Sequence, residues 1–272
     1  MKPIRKSRNK SRDDNRRIPS LTPSPGTLGE GGGEGLRLSP LLAFAAHPDD
    51  IEFACGGIIT LESRAGRAVH FAICSQGESA SHGTPAVRRR EATSAAKILG
   101  ATAEFVKLDG DAHLELRTTH AIALARIIRR IKPAIVLAPT TVQNQHPDHW
   151  RLGTLVRDAA RLARYGGVPE LKSLPSHSIS QLLFYASTCE AEPKDATPLL
   201  VDVSDPTIMD IWKRCMEVHK TQTSARKYVD LQFARARARG LGAGVEYAIA
   251  LFSTDPLLFN DLSAISRGAR GF

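Results

Sequence analysis

Two short stretches carry residue types that could do chemistry together. They are His47-Pro48-Asp49-Asp50, inside LLAFAAHPDDIEFACGG, and His146-Pro147-Asp148-His149, inside PTTVQNQHPDHW. Adjacent carboxylates repel, and acids at the mouth of an apolar run are costly to bury unless positive charge compensates them. A bound cation is the obvious compensation. A catalytic zinc takes nitrogen and oxygen donors from separate elements, three in all, and keeps one position open. Two donors from the first stretch and one from the second meet that count. The three left over include an acid and a histidine, the general base and acid that a metal-dependent hydrolase needs. A lone HPD is an ordinary helix start, since Asp and Pro are both favoured there. Two of them at one sheet edge are hard to obtain by accident.

The elements that must position these residues are legible as periodicity. β-type apolar runs fall at roughly 41–46, 68–74, 103–108 and 134–138, with helix-type segments at roughly 52–66, 86–99 and 117–131 between them. A helix follows at about 149–165, then strand candidates at 181–186 and 199–203, and helices near 205–220 and 224–239. Strands alternating with helices predict an α/β, Rossmann-like, mostly parallel sheet with helices on both faces. Ligands bind beyond the carboxyl ends of such strands. The polar loops HPDD, SQGES (75–79), DGDAH (109–113) and HPDHW all follow strands, so they converge on one edge.

Composition bounds the rest. The chain has 272 residues, 42% of them hydrophobic, enough for one substantial domain with appendages. No apolar run approaches the roughly 18–20 residues of a membrane-spanning helix. The cysteines, Cys55, Cys74, Cys189 and Cys215, form no CxxC pair, so a reducing cytoplasm is the expected compartment. Of the net charge of +9, residues 1–39 contribute nine Lys/Arg against four Asp/Glu. This leader lacks apolar periodicity and is expected to be disordered, with a single domain over 40–272. It reads as a dispensable tail or as a basic arm for a polyanion; nucleic acid is not expected to be the main partner, because that would leave both HPD clusters without a purpose.

With both motifs intact, the sequence resembles the LmbE-like, or PIG-L, family of zinc-dependent N-deacetylases over roughly residues 41–258. The resemblance implies Zn²⁺ held by His47, Asp50 and His149, and Asp49 as general base toward the attacking water. It implies His146 as the group that steadies the oxyanion or protonates the leaving amine, and Asp148 as an orienting partner of a histidine. Softer likenesses make Glu78 of SQGES, Arg88 of the Arg-x-x-Glu helix and Asp111 candidate substrate contacts. Competing readings are a solvated charged face for Arg88 and Glu91, and a turn role for Asp111.

The segment PLLVDVSDPTIMDIWKRCMEVHKTQ and the later GLGAGVEYAIALF resemble the bacillithiol-biosynthesis deacetylases. That likeness implies a small-molecule amino-sugar substrate, an N-acetylglucosaminyl conjugate such as GlcNAc-malate, and a homo-oligomer, a trimer or hexamer. A non-sugar N-acyl substrate is the alternative. Arg235 and Arg239, four apart, are expected on one solvated helix face, with subunit contact or attraction of an anionic substrate as the other reading. Three departures from the family pattern, Gln145 before HPDH, Ile249 in place of an acid, and Asp111-Ala112-His113, are expected to alter the rim and leave the substrate open.

Overall fold

The apolar run that ends at His47 is a strand, β1 (Leu41–Ala45), buried along its whole length. Its side chains alternate between two cores: Leu41, Ala43 and Ala45 pack in one, Leu42 and Phe44 in the other. Only a strand in the middle of a sheet covered on both faces buries both sets. The computed structural model describes residues 38–262 apart from Ala225, together with Ile265 and 267–269. The basic leader, but for Leu38 and Ser39, therefore lies outside the described residues.

After β1 come α1 (Asp50–Arg64), β2 (Val69–Ile73), α2 (Pro85–Ile98), β3 (Thr102–Phe105), α3 (Thr118–Ile131), β4 (Ile135–Pro139) and α4 (Pro147–Arg164). Then follow β5 (Gln181–Tyr185), β6 (Leu199–Asp202), α5 (Pro206–Glu217), α6 (Lys220–Thr223), α7 (Tyr228–Gly242) and β7 (Ala248–Phe252). The seven strands lie in the order β3-β2-β1-β4-β5-β7-β6. All neighbours are parallel except β7, which runs antiparallel between β5 and β6. The α/β, mostly parallel architecture with helices on both faces is as expected. Residues of α1, α2, α5 and α7 share one core; residues of α3 and α4 share the other. Among the described residues no helix is long and apolar enough to cross a membrane.

Two elements differ from the sequence reading. The strand β7 was not expected, because its run is short and its partners are distant in sequence. The last long helix begins at Tyr228 rather than near 224, after the separate turn of α6. On α3, the charged Arg129 is fully buried. It donates from Nε to the Ala163 carbonyl and from Nη1 to those of Leu171 and Leu174, and so ties α3 to the loop after α4.

The neighbours β1 and β4 decide where a site can form. From β1 the chain passes to α1 on one face, and from β4 to α4 on the other. The crevice between these departing loops is the switch point where α/β sheets bind ligands, and both HPD motifs sit there. The start of α4 comes very close to β4. A Cβ on Gly153 would lie 2.3 Å from the Pro139 carbonyl oxygen, so only glycine permits this approach. His149 is one turn earlier on the same helix. Gly153→Ala is expected to destabilise the protein by about 2 kcal/mol and to weaken metal binding, because α4 must retreat. Thermal unfolding and metal titration of the variant check this; unchanged values in both would contradict it.

Candidate active site

Helix α1 begins immediately after HPD, and its first residue, Asp50, bends back to the strand end. Asp50 Oδ2 accepts hydrogen bonds from the backbone N–H groups of Ala46 at 3.0 Å and His47 at 2.9 Å. That leaves Oδ1 free, and it faces His149 Nε2 at 3.0 Å. His47 Nδ1 lies 3.1 Å from the same His149 nitrogen and 3.7 Å from Asp50 Oδ2. All three side chains are buried. A tetrahedral zinc with bonds of about 2.0–2.1 Å spaces its donors about 3.3–3.4 Å apart, so these two nitrogens and the Asp50 carboxylate are close enough to share one ion. The residues fit a metal ion. His47, Asp111 and His146 also lie close enough to form a second donor group, but it includes the exposed His146 and an acid already engaged elsewhere.

The other nitrogen of His47 explains that engagement. Nε2 lies 3.0 Å from Asp111 Oδ1 and 3.2 Å from Asp148 Oδ2. Asp148 Oδ2 also accepts from the Ala112 N–H at 2.7 Å, and Asp111 Oδ2 from the Ser79 N–H at 3.2 Å. Outer carboxylates of this kind fix a ligand imidazole's tautomer, presenting its opposite nitrogen to a metal. Burial alone would lower the His47 pKa. The carboxylates of Asp111, Asp148 and Asp50 outweigh burial and hold it well above the ordinary value. The pocket thus demands a positive charge, which either a proton or a metal can supply.

Asp49 occupies the position between these ligands in the chain but makes different contacts. Its φ of 121° is a strained conformation for a residue with a side chain, costing on the order of 1–3 kcal/mol. Arg88 offsets this by donating from Nη2 to both the Pro48 carbonyl at 2.7 Å and Asp49 Oδ2 at 3.0 Å. Gly77, with φ +71°, makes room: a Cβ there would lie 2.1 Å from Arg88 Nη1. Burial raises the Asp49 carboxyl to about 6, against the opposing pull of Arg88. His146 also borders the cavity. Its Nδ1 accepts from the Asp148 N–H at 3.3 Å, which leaves Nε2 as the protonated nitrogen of a neutral ring. Burial and the neighbouring His47 and His149 lower its pKa, in keeping with that state.

These side chains line a cavity of about 360 Å³, at the small end of ligand sites. His47, Asp49, Asp50, Arg88, Asp111, His146 and His149 all border it; Asp148 lies behind them. Glu78 does not border it. Its carboxylate accepts from the Gln76 and Asp111 N–H groups and joins two loops. Arg88 and Glu91 are buried rather than solvated, Glu91 accepting from the Thr221 N–H and hydroxyl. Arg235 and Arg239 do share a face of α7, but both pair with Glu192 instead of facing solvent. Two expected rim changes are not on the rim. Ile249 is in the core, and Gln145 turns its amide to the Thr140 and Val142 carbonyls, while Ala112 does line the cavity.

The sequence reading missed the opposite wall: Ser187, Thr188, Gln222, Tyr228 and Gln232. It also missed the buried Glu52–His219 pair, 3.3 Å apart, beneath the first turn of α1. Glu52 lay two residues past the motif and could have been noticed as an acid on a buried helix face. Nothing local marks the others.

A family model described as PIG-L, GlcNAc-PI de-N-acetylase, matches residues 42–160. A curated relative, the 4-oxalmesaconate hydratase of Pseudomonas putida, is 30% identical over 138 residues, which cover 46% of this chain and 53% of that protein. The match therefore spans about half the relative's length. The crystal structure of a conserved protein from Thermus thermophilus superposes with a TM-score of 0.73 at 29% identity, covering 85% of this chain and 100% of that one. The N,N'-diacetylchitobiose deacetylase of Pyrococcus horikoshii superposes with a TM-score of 0.68 at 22% identity, covering 78% and 82%, and shows the fold alone. Over residues 42–160 the chain is thus similar to the PIG-L proteins, and the named relatives it resembles include a deacetylase and a hydratase.

Two outcomes are expected from the geometry. Zinc binding near neutral pH should release about one proton per ion, since His47 must become neutral to ligate, and affinity should fall as pH drops. Calorimetry in buffers of different ionisation enthalpy measures the release; buffer-independent heats would contradict it. Arg88→Met should raise the Asp49 pKa, because the guanidinium lowers it. The acid limb of the pH–rate profile then moves to higher pH, and kcat/KM drops by about tenfold or more, as expected for a lost hydrogen bond to a charged group.

Proposed function

We propose that this protein is a zinc-dependent hydrolase that removes the N-acetyl group from an N-acetylglucosaminyl conjugate. One observation carries the reading: beside a ligand triangle of His47, Asp50 and His149 stand an unligated carboxylate, Asp49, and a neutral histidine, His146, facing the same cavity. When bound, a divalent ion supplies Lewis-acid polarisation of an amide carbonyl and acidifies water. Zinc suits the donor set of two imidazoles and one carboxylate.

The chain's own residues supply the proton transfers. Asp49 is tied to Arg88 rather than to the metal, so it is free to take a proton from the attacking water. A pKa raised by burial makes it a better base than an exposed aspartate, yet leaves it ionised at neutral pH. His146, with Nδ1 occupied as an acceptor, donates from Nε2 to the developing oxyanion. Asp49 then carries the proton that the departing amine requires. Asp148 and Asp111 keep His47 oriented throughout.

The curated relative favours a second reading, addition of water to an unsaturated polycarboxylate, which the same base and metal could serve. Product analysis separates the two. Zinc-loaded protein should release acetate from N-acetylglucosaminyl glycosides. Asp49→Asn should lose about 10²-fold or more of that activity, the usual share of a general base, while holding zinc as tightly as before. Hydration of 4-oxalmesaconate without acetate release would replace the deacetylase assignment. Loss of metal in Asp49→Asn would overturn the division of roles between Asp49 and Asp50.

A further inference from the structure

The cavity has two walls of different character. The inner wall comes from the strand ends and α2, within residues 42–160, and holds the ligand triangle with Asp49, Arg88 and Asp111. The outer wall comes from the second half of the chain: Ser187, Thr188, Gln222, Tyr228 and Gln232. It contains hydroxyls, amides and an aromatic ring, and neither lysine nor arginine. Among the described lining residues Arg88 is the sole guanidinium or ammonium group, and it is engaged with Asp49 and Pro48.

Two nearby arginines are engaged as well. Arg235 donates from Nη1 to the Ser187 carbonyl at 2.9 Å and Gln232 Oε1 at 2.7 Å, and from Nη2 to Glu192 at 2.9 Å. Arg239 pairs with the same Glu192. Arg226, with Nη1 on the Tyr228 hydroxyl, and Lys227 are exposed, and neither borders the cavity. Three lining carboxylates, Asp49, Asp50 and Asp111, face one guanidinium and one divalent ion, so the loaded cavity balances near zero charge. A substrate carboxylate or phosphate entering it would give up water without gaining a cation.

What the outer wall does offer suits hydroxyl groups. Gln232 is buried and held in place, its Oε1 by Arg235 and its Nε2 by the Ser187 carbonyl. The Ser187 hydroxyl has no hydrogen-bond partner in the fold, so a change of rotamer toward a ligand breaks nothing. Phe53 and Tyr228 meet edge to face at 5.9 Å, presenting an apolar surface to the C–H face of a sugar ring.

Resting on the deacetylase reading above, we propose that the group attached to the N-acetyl amino sugar is uncharged, a neutral polyol or second sugar met by Ser187, Gln222 and Gln232, and that carboxylate-bearing conjugates such as GlcNAc-malate are disfavoured. The same wall disfavours polycarboxylate hydration.

The test uses a matched pair, GlcNAc-malate and its dimethyl ester, with N,N'-diacetylchitobiose as a second neutral probe, on the zinc-loaded protein. The neutral compounds should be deacetylated with kcat/KM at least tenfold above the diacid. The zinc-loaded Asp49→Asn variant should show the same order in calorimetric Kd. Gln222→Arg should shift the ratio toward the diacid by about tenfold. A diacid turned over and bound as well as its ester overturns the proposal while leaving the deacetylase reading standing. So does a ratio unmoved by Gln222→Arg, since the wall then does not meet the attached group. No acetate from any compound sinks the deacetylase reading, and this inference with it.

Discussion

The site is organised around the charge that His47 must share. One imidazole stands between Asp50 and His149 on its Nδ1 side and Asp111 and Asp148 on its Nε2 side. Three carboxylates around a buried ring are tolerable only with positive charge among them. A proton on His47 provides it, and a metal at Nδ1 would provide it equally. The same acids that raise the affinity for a proton therefore prepare the site for a cation, and their hydrogen bonds to backbone N–H groups prevent them from relaxing away. Asp50, Asp111 and Asp148 each accept at least one such bond.

Holding that arrangement falls to backbone contacts more than to side chains. His47 and His149 are brought together because β1 and β4 are neighbours, paired from Leu41 with Ile135. A shift of the donors by even half an ångström would spoil the coordination geometry. Gly153 lets α4 rest against the end of β4, and Gly77 lets Arg88 reach the HPD turn. The positive φ of Asp49 is the strained point of this assembly, and the bonds from Arg88 to Pro48 and Asp49 restrain it. Strain of this kind at a base candidate aims its carboxylate at the cavity while its neighbour Asp50 turns to the ligand triangle.

Residues whose roles depend on local pattern were legible in the sequence. Both HPD motifs announce themselves by type and spacing, and the βα alternation places them at one sheet edge. Residues whose roles depend on distant packing were not. Arg235 and Arg239 look like a solvated face because Glu192, which neutralises both, belongs to another segment. Ile249 looks like a rim change because nothing near it reveals that β7 inserts between β5 and β6. Glu78 carries the right charge in the right loop, yet backbone N–H groups of that loop and of residue 111 claim its carboxylate first. In each case the type was read correctly, and a partner far away in sequence decided the role.

That division also separates reaction from recognition. The proposed ligand triangle, base, oxyanion donor and orienting acids all lie within the span that the family model matches, and each is bound by distances that allow little variation. The outer wall lies beyond that span, on α6, α7 and the loop after β5, and needs only to complement whatever the substrate carries. A wall of amides and hydroxyls can be changed residue by residue without disturbing the ligand geometry, because its anchor, the Arg235–Glu192–Arg239 cluster, sits behind it. Charge on the outer wall is thus a free variable in a way that charge on the inner wall is not. With a divalent ion bound, the inner wall would carry no net positive charge. An anionic substrate would then have to find its counter-charge on the outer wall, and the described residues of that wall contribute none.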